Sequence, residues 1–455
     1  MKTKNTIILA LLLAALGAYV YFYEIKGGEA RKKAEELASK VFVVEKDSIK
    51  SVLIKPKNIH FKKEKDHWQI IEPVEYDADK WNVDNLVRSI ANAKKERIIA
   101  DSTEDYTVYG FTDSSLQIIF SYDEKIDTLL LGDKNPTGTY VFARRSDSPQ
   151  VFLTNTTLFY NANKSLFDFR DKSIVKFDYD EVNKIILTKG KTTFVGVKRD
   201  NKWYMEKPVE DEGDQATWNS ILNYLKNRKI KEFVDEHPTN LAKYGLKYPA
   251  MRIDLFVGEN NAKKTVLFGK RHKDKYYVKD ESRNPVVLVD STVYNKIYSL
   301  KTFDLRNKKV NDFTRSEVDY LEFAYPETRI ICQKDSTDKW QIIEPETRKA
   351  RDWKVSRIFD TLVDMKAVGM VDKQPASSDK FGFEKPRGEV IGKVGDKVVI
   401  DLLIGKEIKD KAYVKNILKN KIYLVQKPEA NKLILRLSDL AEPVETQESK
   451  TGTNE

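Results

Sequence analysis

Trp68-Gln69-Ile70-Ile71-Glu72-Pro73 returns unchanged as Trp340-Gln341-Ile342-Ile343-Glu344-Pro345, and a variant, Trp203-Tyr204-Met205-Glu206-Lys207-Pro208, stands between them. Outward from each first tryptophan, the same landmarks follow. A second tryptophan comes 13, 15 and 13 residues later, at Trp81, Trp218 and Trp353. Tyr109-Gly110, Tyr244-Gly245 and Phe381-Gly382 each begin 41 residues after the first tryptophan. Gly132, Gly269 and Gly405 close short apolar runs and precede Tyr140, Tyr277 and Tyr413 by eight residues each. Phe-Asp-x-Arg ends the first two segments, at Phe167 to Arg170 and Phe303 to Arg306, and a degenerate form near Leu435 and Arg436 ends the third. Self-similarity at a fixed period marks one structural unit written several times. A period of about 135 residues is too long for a solenoid or propeller blade and suits small domains that each own a core.

The pattern inside each copy gives its elements. Ser51-Val52-Leu53-Ile54, Lys184-Ile185-Ile186-Leu187 and Tyr320-Leu321-Glu322-Phe323 read as first strands. A strand pair ends on the tryptophan motif, where Pro73, Pro208 and Pro345 cannot donate to a ladder and stop it. An amphipathic helix starts near the second tryptophan. Trp218, Ile221, Leu222 and Leu225 lie at i, i+3, i+4 and i+7, and Val355, Ile358, Leu362 and Met365 repeat the stripe. Asp214 and Asp352 are suited to the positive end of such a helix. Further strands, Leu116 to Ser121, Thr128 to Leu131, Tyr140 to Ala143 and one around Val151, lead to a short helix at Phe-Asp-x-Arg. The predicted class is α+β: three tandem repeats of a small, mainly antiparallel sheet with a packed helix, after an N-terminal transmembrane helix.

Residues 7–23, IILALLLAALGAYVYFY, carry no charge and follow a short head with Lys2 and Lys4. That length is at the lower end of what spans a bilayer, and Tyr19, Tyr21 and Tyr23 suit the headgroup layer. A cleavable leader is the rival reading, but the best small-x-small site, Ala15-Leu16-Gly17, is followed by more apolar sequence. The predicted organisation is therefore a tail and transmembrane anchor at 1–24, a helical stalk at 25–46, and units at 47–178, 179–313 and 314–442. A disordered tail follows at 443–455. The weak basic bias of the head favours an inner-membrane, single-pass protein with its body outside the cytoplasm.

Lysines and arginines number 80 against 70 acids and are interspersed with them, so the clustered stripe of a nucleic-acid protein is missing. Cys332 is the one cysteine, which excludes an intramolecular disulfide and reads as a small buried side chain. His60, His67, His237 and His272 show no metal-ligand spacing. Gly388 to Lys393, GEVIGK, falls one residue short of a phosphate loop, lacks its Ser or Thr, and reads as a turn. The acids Glu210, Asp211, Glu212 and Asp214 suit a solvated loop capping the following helix better than a calcium site. The tryptophans read as a sheet-to-helix seam and the glycines as turns or close backbone approaches, because residues present in every copy are first what the fold requires. No catalytic, metal or cofactor-binding residue is named, and no cofactor is expected.

Taken together, the tryptophan-proline, Tyr-Gly, Leu-Gly, tyrosine and Phe-Asp-x-Arg series resembles the bacterial family called domain of unknown function 4340. The likeness covers the chain beyond the anchor in three copies. It implies a membrane segment and association with ABC transport systems of the gliding-motility type, as an accessory component without an activity of its own. The expected function is thus a non-enzymatic scaffold of a bacterial envelope complex. The alternatives are an envelope module binding glycan or peptide on exposed Trp68, Trp203 and Trp340, and a hydrolase with an inter-domain site.

Overall fold

The computed structural model describes residues 2–21, 23, 27–372 and 380–443. The expected disordered tail, from residue 444 on, lies outside the described residues. So do residues 1, 22 and 24–26 of the expected anchor and stalk.

Helix α1 (Lys2–Tyr19) takes in 13 of the 17 residues of the apolar run, and α2 (Gly27–Ser39) occupies the stalk. Among the described residues no helix is long and apolar enough to cross a membrane. The first turn and more of α1 is the polar head Lys2 to Thr6, which lowers its mean hydropathy.

Copy one then forms nine strands: β1 (Ile49–Lys55), β2 (Ile59–Glu64), β3 (His67–Glu72), β4 (Tyr76–Asp77), β5 (Arg97–Ala100), β6 (Leu116–Tyr122), β7 (Lys125–Lys134), β8 (Tyr140–Arg145) and β9 (Val151–Asn155). Helix α3 (Lys80–Ala91) lies between β4 and β5, and α4 (Thr156–Ala162) and α5 (Leu166–Phe169) follow β9. The strand order is β4-β3-β2-β1-β6-β7-β8-β9-β5, and the pairings are antiparallel. Two further nine-stranded sheets repeat that order, over Val182–Asp290 and Tyr320–Gln426. Their helices are α6 (Gln215–Asn227), α7 (Ser291–Tyr298), α8 (Asp352–Asp364), α9 (Lys427–Asn431) and α10 (Leu437–Leu440). The architecture is three antiparallel sheets carrying helices, an α+β chain.

Alternation along the strands buries one face. Val52 and Ile54 of β1, Ile118 and Phe120 of β6, and Leu129 and Leu131 of β7 all point into one core with Val83, Leu86 and Ile90 of α3. In copy three the core is Leu321, Phe323, Ile342 and Leu402 against Val355, Ile358 and Leu362. Each such aliphatic side chain contributes roughly 1.5–3 kcal/mol by leaving water.

Gly388 to Val394 is a strand in the middle of the third sheet, paired on both edges, and not the turn read from GEVIGK. Its glycines make room for neighbours: a Cβ on Gly388 would stand 2.9 Å from the Tyr325 ring, and one on Gly392 would stand 2.7 Å from Ile400.

By compactness the chain divides into two units and not three. One is Met1–Ile174 with Lys229–Thr239 and Asn284–Val289, and the other is Val175–Arg228 with Asn240–Arg283 and Asp290–Glu455. Two segments of copy two therefore belong with copy one, and the contacts of Arg170 described below account for the first of them.

Cys332 sits fully buried in the third sheet, and burial pushes its thiol up to about 12. The native chain is expected to react with a thiol reagent at neutral pH at least about a thousandfold more slowly than the denatured chain. Equal rates in and out of urea would place the thiol at the surface.

Candidate functional site

The residues shared by all copies come first. Trp68, Trp203 and Trp340 are buried at the start of the strand that carries them. The three prolines that follow, Pro73, Pro208 and Pro345, are all cis. Only in copy two does the second tryptophan complete a seam: Trp203 and Trp218 stack 5.8 Å apart at 23°, and the Trp218 indole N–H donates to the Leu305 carbonyl at 3.0 Å. Trp81 and Trp353 are 70% and 54% exposed. The core position of Trp218, 15 residues after the first tryptophan, is taken by Val83 and Val355, both buried. The matching offset of 13 therefore joined residues on opposite sides of the helix, and copy two has Ala216 at the exposed place.

Gly132, Gly269 and Gly405 are required by a backbone crossing. A Cβ at these positions would stand 2.1, 2.2 and 2.3 Å from the carbonyl oxygens of Tyr109, Tyr244 and Phe381. Gly110, Gly245 and Gly382 adopt φ of 79°, 72° and 75°, the left-handed region open to glycine. The aromatic ring before each of these glycines packs on the third residue of the next strand but one. The pairs are Tyr109 with Phe142, Tyr244 with Tyr277, and Phe381 with Tyr413, at 5.1, 5.1 and 4.9 Å. Tyr140 is thus not the partner of Tyr277 and Tyr413. The β7–β8 loop of copy one is longer, and Phe142 takes that role.

A cleft of about 850 Å³ adjoins the first crossing, lined by Lys57, Thr112, Ser115, Asp133, Lys134 and Asn163 among others. Lys57 is committed within it. Its ammonium donates to the carbonyls of Asn163 and Lys164 and to the Asn163 side chain at 2.6, 2.9 and 2.7 Å, closing the C-terminal end of α4. Lys189 does the same for the carbonyls of Tyr298 and Leu300 after α7, and the Tyr325 hydroxyl donates to Leu433 after α9. Burial lowers both lysines below the usual ammonium range.

The closing motif holds the most charged chemistry. Asp168 caps α5 by accepting from the Ser165 backbone and hydroxyl, and Asp304 and Asp439 accept from the backbone N–H of Lys301 and Arg436 in the same way. Aligned on these caps, the third copy ends in Ser438-Asp439-Leu440-Ala441, so Ala441 and not Arg436 stands where Arg170 and Arg306 stand. The isolated bridges Ala78 to Arg170, Gly213 to Arg306 and Ala350 to Ala441 fix that register.

Arg170 is buried. Its two terminal nitrogens grip Glu236 at 2.6 and 2.9 Å, and its guanidinium lies over the rings of Phe233 at 3.3 Å and Tyr76 at 4.3 Å. Arg306 donates to Asp211 at 2.6 Å and is also paired with Asp372, while Lys421 joins Asp211 from the other side. In both cases the arginine of one copy meets an acid of the next. Sequence reading had assigned this arginine to the end of a unit, whereas it staples consecutive units. A usable signal existed: Asp101, Glu236 and Asp372 follow the first tryptophans by 33, 33 and 32 residues.

The acids considered for calcium are engaged by these cations. Besides Asp211, Glu212 accepts from Asn307 at 2.8 Å, and Asp214 caps α6 by accepting from the Thr217 N–H at 2.8 Å while facing Lys308 at 3.2 Å. Asp79 caps α3 through the Asn82 N–H at 2.9 Å. In copy three the residue at this place is Arg351, which makes no side-chain cap.

The family model of a domain of unknown function, DUF4340, matches residues 68–239, 203–342 and 340–451. This is a tandem-repeat chain of antiparallel α+β units. It belongs to the DUF4340 family. No curated protein and no solved structure matches it.

Two expectations follow from the geometry. In a double-mutant cycle of Arg170→Met and Glu236→Gln, unfolding is expected to show a coupling of about 1–2 kcal/mol, and additive single effects would mean that the staple carries no energy. The helix caps supply the second. Burial raises the Asp214 carboxyl, but the N–H and hydroxyl of Thr217 and the Lys308 ammonium outweigh it, and the net position is below the usual range. A carboxyl depressed in the folded state stabilises above its unfolded value of about 3.9 and loses that contribution as pH falls through its folded value. Asp214→Ala should therefore cost about 1 kcal/mol at neutral pH, with the difference shrinking below about pH 4. Arg351→Asp should gain about as much, seen as a raised unfolding midpoint in urea.

Proposed function

We propose that this chain is a membrane-anchored, non-catalytic accessory protein of a bacterial envelope complex, partnered with an ABC-type transport system. The observation that carries this reading is the use made of the recurring residues. The first tryptophans, the paired glycines, the helix-closing lysines and the closing arginines are all spent on packing within copies or stapling one copy to the next. Such a body serves to hold and present surfaces. Supporting the anchor, Leu11, Leu12, Leu13 and Leu16 of α1 are each more than 60% exposed, an apolar surface that calls for a lipid or protein environment. The transporter partner follows from what the family resemblance implies.

Burial of Trp68, Trp203 and Trp340 takes away the motive for a glycan or peptide platform built on them. The reading is tested by crosslinking the tagged full chain in native membranes and purifying it in mild detergent. Recovery of a transporter's membrane or ATPase subunit is expected, and recovery of the chain alone from crosslinked membranes would sink the proposal.

A further inference from the structure

One place in the repeat changes sign between copies. Over the 11 residues from two before β4 into the main helix, copy one (75–85) has four acids and one base, and copy two (210–220) has four acids and no base. The same 11 residues of copy three (347–357, TRKARDWKVSR) have five bases and one acid. In the first two copies the acids have internal tasks, since Asp79 and Asp214 cap helices and face Lys172 and Lys308. Copy three has Pro443 where those lysines stand, so neither an acid nor a lysine is needed there.

The replacement is not neutral. Trp353, Lys354 and Arg357 are neighbours on the outer side of α8, with Arg351 preceding them, and the Arg357 guanidinium lies 5.2 Å from the Trp353 ring centre. Arg436, its side chain 84% exposed, stands at the start of α10, which packs on α8. The acids nearby are already engaged: Asp352 with Lys339 at 3.3 Å, Asp439 with the backbone of Arg436, and Asp360 with Arg315. A half-exposed tryptophan among unneutralised cations is a poor solvent surface. It is well matched to an anionic lipid interface, where the indole sits at the headgroup level and the cations meet phosphates.

We propose that this face of copy three, Arg351, Trp353, Lys354, Arg357 and Arg436, docks on the surface of a bilayer rich in anionic lipid. The proposal shares the membrane of the functional reading above but does not depend on α1 being inserted.

The buried Cys332 lets single engineered cysteines report on the full chain. Asp352→Cys, labelled with an environment-sensitive fluorophore, is mixed with vesicles of phosphatidylcholine alone or with about one-third phosphatidylglycerol. The expected result is a brightening of about twofold or more with anionic vesicles only, reversed at about 1 M salt. The same label at Ala216→Cys, the equivalent place in copy two, should stay dark. Because Arg351→Asp is expected to stabilise the fold, Arg351→Asp with Lys354→Gln and Arg357→Gln should lose the response while unfolding no earlier than the parent.

Equal brightening with both vesicle types, no brightening, or the same response at Ala216→Cys would each overturn the proposal. So would a response to soluble polyglutamate without one to anionic vesicles, which would assign the face to an acidic polypeptide. A separate label at Leu12→Cys reports insertion of α1. Failure there counts against the anchor and leaves the result at copy three standing.

Discussion

The structure depends on a backbone seam made by the segment that closes each copy. In copy one the Phe169 carbonyl accepts from the Asp79 N–H at 2.7 Å, and the Asp171 N–H donates to the Asp77 carbonyl at 2.9 Å. One residue further on, the Lys172 carbonyl accepts from the Ile230 N–H at 2.8 Å. The chain thus seals its own sheet edge and helix start, then joins the next copy before it has turned away. Copy two repeats this with Leu305, Asn307 and Lys308, the last accepting from Ala367 at 2.8 Å. At the N-terminal side Ser39, at the end of α2, accepts from Lys95 at 2.7 Å, so the stalk enters copy one in the register in which each copy enters its successor. Buried backbone groups must be paired, and this pairing leaves little freedom in where the closing arginine lands.

The arginine then reads as a consequence of the seam. Held beside β4 or its equivalent, its side chain reaches an acid of the following copy. A buried guanidinium without that acid would carry a large desolvation cost. Where nothing follows, in copy three, Ala441 stands in its place and the Phe169 position keeps an apolar Leu440. Packing is retained and charge is dropped. The same logic frees the neighbouring acids, which in copy three give way to Arg348, Lys349 and Arg351.

Much of this was legible in the chain. Matching offsets between tryptophans, glycine pairs and apolar runs identified three copies, and the helix stripe of Trp218, Ile221, Leu222 and Leu225 lies buried on α6. The misreadings share one cause. Offsets are linear, and a one- or two-residue change in a loop or helix start lets a different residue fall at the expected distance. Trp81 and Trp353 were matched to Trp218, Tyr140 to Tyr277, and Arg436 to Arg306 in this way. GEVIGK was misread for a related reason, because glycine in a strand looks like a turn until the Tyr325 and Ile400 side chains that need its space are in view.

By itself, then, the sequence determined that one α+β unit is repeated three times, which faces of its strands and helices are apolar, and which glycines the backbone cannot replace. These follow from local spacing, because burial periodicity and backbone sterics act over a few residues. Tertiary structure alone decided that the closing arginines are staples, that Asp211 is neutralised by Arg306 and Lys421, and that the tryptophans of α3 and α8 face outward. Those outcomes rest on partners dozens to more than 200 residues apart in the chain. Such a pairing has no period to betray it. It exists only once two distant segments have been brought to the same edge of a sheet.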